Sequence, residues 1–283
     1  MAAPRNRDKR VAKAYHAPAG FSNDSLSSTL KNVYRHRQKD NRASTPHFLL
    51  TDSAAQAQQL TTMIAQKAAR TASKANPTGL LGQLAKKADV TGYYAAKARK
   101  LEALKAITVV NTNDQQSRHM MNAMVGDRRL DMVVIGHGAA GTDVVQTQFK
   151  RDAGGKKDTA FFPAQFVGHN HDVTTQNVDS AAIVRSIKAM KAHDQDPIDV
   201  SRVRFDTCSA AAKGPDAAPA LMDHFAQELA RQKVGGIQKI TGYSDPVAHG
   251  DFQTPQRQLR RTVNGWQRTD NATAEDKRRL VAK

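Results

Sequence analysis

Two stretches decide how this chain is read: Asp131-Met132-Val133-Val134-Ile135-Gly136-His137-Gly138 and Val203-Arg204-Phe205-Asp206-Thr207-Cys208-Ser209-Ala210. Each begins as a short apolar run of the kind that makes a buried strand. One ends in a histidine, the other in the only cysteine of the chain. In an open parallel sheet, ligands gather outside the carboxyl ends of the strands. If the two strands are neighbours, an imidazole and a thiol meet over one edge. A free cysteine is mostly protonated near neutrality, its ordinary pKa being about 8.5. An adjacent histidine can take its proton and later return one to a leaving amine.

Outward from these runs, the pattern alternates. Strand-like segments at 107–110, 132–135, 203–205 and 237–243 are separated by helical ones at about 114–126, 179–193 and 217–232. Parallel neighbours need such crossovers, so a layered α/β domain is expected over 106–250. The polar stretch 141–177 lies inside it, with Gly154-Gly155-Lys156-Lys157 as a turn and short strands expected near Phe161, Phe162 and Phe166. Upstream, 47–105 reads as a helical region, with helices over 52–75, 80–88 and 92–106. Asp52 or Ser53 is placed to cap the first, and Asn76-Pro77-Thr78-Gly79 breaks it. Residues 1–46, rich in Asn, Ser, Arg and Lys, are expected to be a flexible basic leader, and 251–283 a polar tail.

The totals narrow the classes. The 283 residues fit one or two domains. A single cysteine rules out an internal disulfide and any dependence on an oxidising compartment. No apolar run approaches the ~20 residues of a membrane span, and the first 13 residues lack the apolar core of a secretory signal. Aromatic residues are only 5%, a poor basis for stacking single-stranded nucleic acid. The net charge of +17 is uneven: residues 1–105 hold 19 Lys and Arg against 6 Asp and Glu, the remainder 24 against 20. The basic excess therefore sits in the first third, where it could draw an anionic partner or be merely solvated.

His137 and Cys208 are the candidate dyad. Gly138 lets a backbone N–H approach a substrate carbonyl without a side chain in the way, so Gly138 and Cys208 N–H are the candidate oxyanion donors. The bland readings are a turn for Gly-His-Gly and a small buried hydrophobe for Cys208. His169-Asn170-His171-Asp172 offers two metal-type ligands where zinc needs three or four. No metal is expected.

On these residues the chain resembles the caspase-like (clan CD) cysteine peptidases, in which an apolar block ending in His-Gly precedes one ending in the nucleophilic cysteine. It is most similar to the self-processing cysteine protease domains of bacterial toxins, through a third block, Ile240-Thr241-Gly242-Tyr243-Ser244-Asp245-Pro246-Val247. The resemblance covers about 106–250. It implies a caspase-like three-layer α/β sandwich with a mostly parallel central sheet, and cleavage of a protein substrate by His137 and Cys208. It implies a role for Asp114 as the orienting acid, and for Asp245 in a pocket selecting a basic side chain. Asp206-Thr207 departs from the small or apolar residues expected before the cysteine. The 71-residue His-to-Cys separation suggests an insertion in 141–177. No cofactor is required. An inositol hexakisphosphate activator is implied by the toxin domains, with Lys150, Arg151, Lys156, Lys157, Arg257, Arg260 and Arg261 as cations that could serve it.

The resulting expectation is a thiol protease of the secreted effector or toxin type, held in the bacterial cytoplasm before export and acting in a host cytosol. The alternative is a binding protein whose basic first third holds nucleic acid or an acidic partner over an inactive scaffold. Acyl transfer or deamidation would use the same dyad.

Overall fold

The computed structural model describes residues 11–38, 45–88, 91–151, 157–158, 173–191, 200–243, 256–262 and 265–269. Its main sheet is built from Val11–His16 (β1), His47–Thr51 (β2), Ile107–Asn111 (β3), Arg129–Ile135 (β4), Val200–Asp206 (β8), Lys239–Tyr243 (β9), Gln256–Thr262 (β10) and Gly265–Thr269 (β11). The spatial order is β3-β2-β1-β4-β8-β9-β10-β11. The first six strands run parallel, and β10 and β11 close the far edge antiparallel. The chain thus starts in the middle, fills one edge, returns beside β1 as β4, and fills the other edge. The reversal between β1 and β4 is the switch point at which open α/β sheets bind ligands.

Helices cover both faces, because side chains alternate across each strand and both sets are apolar. On one face Ala12, Ala14, Phe48, Leu50, Met132, Val134, Val203 and Phe205 pack against Gln115–Val125 (α5), Ser180–Lys191 (α6) and Leu221–Arg231 (α7). Phe205 meets Phe225 of α7 edge-on, their centroids 5.1 Å apart. On the other face Tyr15, Leu49, Val133 and Ile135 pack against Asn23–Gln38 (α1), Ala54–Ala75 (α2) and Tyr93–Lys105 (α4). The result is a three-layer α/β arrangement. Leu80–Lys87 (α3) lies between α2 and α4 in the chain. A second sheet, ordered β6-β5-β7, is formed by Val144–Arg151 (β5), Lys157–Asp158 (β6) and Val173–Asp179 (β7), all antiparallel. It falls in the stretch where an insertion was expected. The strands expected near Phe161, Phe162 and Phe166 lie outside the described residues.

The domain limits differ from those read in the sequence. Residues 11–38 of the expected leader are ordered structure: β1 lies between β2 and β4, with Ala12 and Ala14 wholly buried. The first segment of the expected helical region, β2, is likewise a sheet strand, and part of the expected tail supplies β10 and β11. The α/β layer therefore begins at residue 11, not 106. The physical reason is that β1 buries two alanines and a histidine beside Tyr15, and that α1 mixes buried Ser25, Ser28 and Thr29 with Leu26, Leu30 and Val33, so the apolar signal of both is diluted. Ser22, just before α1, and Ser25 satisfy one another, Ser22 N–H donating to Ser25 Oγ at 2.8 Å and Ser25 N–H to Ser22 Oγ at 3.2 Å. The helices at 54–75, 80–87 and 93–105 fall where helical spacing put them. Ser53 caps α2, accepting from Gln56 N–H at 3.3 Å.

Candidate active site

β4 and β8 are adjacent, parallel and in register, with Val134 beside Phe205 and Ile135 beside Asp206. His137 and Cys208 each stand two residues past that last rung, so their backbones leave the sheet side by side, about 4.8 Å being the spacing of neighbouring strands. Val203 and Phe205 face α5–α7 while Val133 and Ile135 face α1 and α2. By alternation, the register of Ile135 with Asp206 puts those two on one face. The register stops there, and the chain bends at Gly136 and at Thr207 before it reaches His137 and Cys208. Both are half-buried.

Further contacts fix these two loops. His137 is fixed by a two-bond bridge to β5, its N–H donating to Gln146 O and Gln146 N–H to His137 O, both at 2.7 Å. Gly138 lies against the cysteine itself: a methyl group on it would sit 2.9 Å from the Cys208 carbonyl oxygen. Beyond them, Gly141 N–H donates to Ala212 O at 3.2 Å, and Gly141 and Gly214 pass so closely that neither tolerates a side chain. The loop after the histidine is thereby braced against the loop after the cysteine.

The chain turns sharply after Cys208. Ser209 has φ of 52°, in the left-handed region that costs a non-glycine residue of order 1 kcal/mol or more. The turn is clamped by Ala212 N–H to Ser209 O at 2.9 Å and by Ala211 N–H to Tyr243 O of β9 at 2.8 Å. Ala210 and Ala211 are buried, which anchors the turn in the core. The hydroxyl of Thr207 is buried with no hydrogen-bond partner among the described residues, and lies 3.7 Å from where a Gly138 methyl would be.

A charged pair lies just before the cysteine, on one face of β8. Arg204 and Asp206 approach to 3.9 Å. Burial pushes the Tyr15 phenol above its ordinary range, with Arg204 working against that and Asp206 adding to it. In the sequence Asp206 stands out only as a departure from the small or apolar residues expected before the cysteine.

The other expected residues fall elsewhere. Asp114 is the N-cap of α5, accepting from Ser117 N–H at 2.7 Å, and the hydrogen bonds from Ser117 hold its carboxyl below the usual range. It follows the edge strand β3, and β2 and β1 stand between β3 and β4, a separation of about 14 Å at ordinary strand spacing. Asp245 lies outside the described residues. Of the cations considered for a polyphosphate, Lys156 lies outside them as well. The backbone places Lys150, Arg151 and Lys157 on the small sheet and Arg257, Arg260 and Arg261 on β10 of the large one. The His169–Asp172 stretch also lies outside. Among the described residues, no group of three or more His, Cys, Asp or Glu could hold a metal ion, and no helix is long and apolar enough to cross a membrane.

No known protein-family model matches the chain, and no curated protein or solved structure matches it.

Proposed function

We propose that this chain is a cysteine endopeptidase of caspase-like type in which Cys208 attacks a peptide carbonyl and His137 transfers the protons. The observation that carries this is the register of β4 with β8, which sets His137 and Cys208 at equivalent positions past two neighbouring strand ends. In the reaction, Cys208 Sγ bonds to the scissile carbonyl carbon and its proton passes to the imidazole. Collapse of the tetrahedral intermediate breaks the C–N bond, and His137 donates that proton to the departing amine. Water, deprotonated by His137, then releases the acyl group from sulfur. The close approach of Gly138 to the Cys208 backbone supports a role for the two backbone N–H groups at the developing oxyanion. The strained turn at Ser209 supports the same role, since it fixes the direction in which the chain leaves the nucleophile.

The proposal extends to a secreted effector or toxin acting on a host protein, on the strength of the toxin-domain resemblance alone. The experiment is cleavage of a peptide library prepared from a whole proteome, with new amino termini read by mass spectrometry. Wild-type chain should generate cuts that neither Cys208→Ala nor His137→Ala generates, with all three proteins giving the same circular dichroism. Cleavage retained in either variant would remove the mechanism. Transfer of the acyl group to an added amine, without hydrolysis, would convert the assignment to an acyltransferase.

A further inference from the structure

The helix α3 is built to turn an apolar face away from the protein. Gly82 packs against Pro77 so closely that an added methyl would lie 2.8 Å from the proline Cβ. One turn on, Lys86 Nζ donates to Asn76 Oδ1 at 2.7 Å. These two contacts, four residues apart, dock one side of α3 on the segment that leaves α2. Leu80 and Leu84, also four apart, are displaced by about 200° from Gly82 at ~100° per residue, so they occupy the opposite side. They are 74% and 52% exposed. Lys87 continues their row at three residues further and is exposed too. At the start of α4 Tyr93 is 45% exposed, with Lys97 Nζ 4.9 Å above its ring.

The sequence on either side of this helix is mostly cationic. Between residues 74 and 100 the sequence carries Lys74, Lys86, Lys87, Lys97, Arg99 and Lys100 against the one carboxylate of Asp89. Isolated exposed leucines are ordinary on a surface. Two on one helical row, pointed away from the docked side and in a cationic stretch of sequence, are the pattern of an element that lies in a membrane interface.

We propose that α3 forms an interfacial anchor that seats Leu80 and Leu84 at the head-group boundary of an anionic lipid bilayer, with Lys87 on the lipid phosphates. The apolar row provides insertion and the positive charge selects membranes bearing negative charge. The element lies on the surface rather than across the bilayer, in keeping with the eight-residue length of α3. This proposal stands independently of the peptidase reading.

The test is co-sedimentation of the full chain with large vesicles, of phosphatidylcholine alone or with about a third phosphatidylserine, at low and high salt. Binding is expected to the anionic vesicles, to fall at high salt, and to be weak on neutral ones. Leu80→Ser with Leu84→Ser removes only exposed side chains, so it leaves the fold intact, and should weaken binding at least about tenfold. Lys87→Gln should weaken it about fivefold. Failure to bind anionic vesicles at low salt would overturn the proposal. So would equal binding to neutral vesicles. Unchanged binding by the double leucine variant would also overturn it, since attraction would then be the diffuse electrostatics of a +17 chain. Capture by an acidic polypeptide with no vesicle binding would assign the surface to a protein partner instead.

Discussion

Lowering the pH from 7.5 to 5 should remove about 4 kcal/mol of stability, and two histidines should account for it. His16, at the carboxyl end of β1, and His47, at the start of β2, are wholly buried, and neither ring has a hydrogen-bond partner among the described residues. Burial lowers the pKa of His16 from 6.5 to about 4, with Asp52 partly opposing it. Burial first, then the charges of Lys13 and Arg37, lowers that of His47 to about 3. His47 also stacks on Tyr15 and meets His36 edge-on, with centroids at 6.1 and 5.2 Å. Above pH 6.5 both rings are neutral folded or unfolded, and no penalty applies. As the pH falls through 6.5, the unfolded chain takes up protons that the folded chain refuses, and stability falls. The loss levels off only below about 4 for His16 and about 3 for His47. With about 1.4 kcal/mol for each tenfold change in proton concentration, each ring contributes about 2 kcal/mol at pH 5. Urea unfolding of the full chain at several pH values measures this, with His16→Leu combined with His47→Phe as the comparison. The double variant starts from its own baseline stability, so the quantity compared is the slope between pH 7 and 5. That slope should drop by more than half. An unchanged slope in the double variant, or a flat profile in the wild type, would refute the assignment.

Gly138→Ala would press a methyl to 2.9 Å from the Cys208 carbonyl oxygen; displacement of one oxyanion donor should lower kcat about 100-fold, and wild-type kcat would contradict that placement. Asp114→Ala should cost about 1 kcal/mol in urea unfolding, as loss of a helix cap does, and leave the pH–rate profile of peptide cleavage unchanged; a shifted profile would support it as the orienting acid. Phe225→Ala empties the site against Phe205 on β8 and should cost about 3–5 kcal/mol, read from the same unfolding assay; a loss below about 1 kcal/mol would contradict the packing of α7 on this face.

What the sequence disclosed follows the physics of each element. β4 was legible because Met132–Ile135 is apolar on both faces, as a central parallel strand must be, and β8 because Val203 and Phe205 give it one apolar face. Their adjacency was a guess from the functional residues, and the register supports it. β1 was illegible because its buried positions are two alanines, one tyrosine and a final histidine with no hydrogen-bond partner among the described residues. α1 carries an apolar row of Leu26, Leu30 and Val33, but buried Ser25, Ser28 and Thr29 beside it read as solvent-facing and dilute the pattern. β10, with Gln256-Arg257-Gln258-Leu259-Arg260-Arg261-Thr262, reads as tail for the same reason. It is defined by pairing to β9 and β11 rather than by its own composition. An acid after a strand, as Asp114 is, serves two purposes. Only the position of β3 at the sheet edge distinguishes a helix cap from a catalytic orienter. The bracing of Gly141 against Gly214 joins residues 73 positions apart and has no local signature.

The account rests on His137 and Cys208 standing side by side at two strand ends, and the single cysteine of the chain allows a direct trap. If the two stretches keep the strand spacing of about 4.8 Å past Ile135 and Asp206, His137→Cys introduces a second thiol within the range of Cys208 that a disulfide spans. Mild oxidation of the folded variant, followed by thiol titration and intact-mass measurement, should find no free thiol and a monomer lighter by two hydrogens. Two titratable thiols persisting in the folded monomer would contradict the proposed pairing.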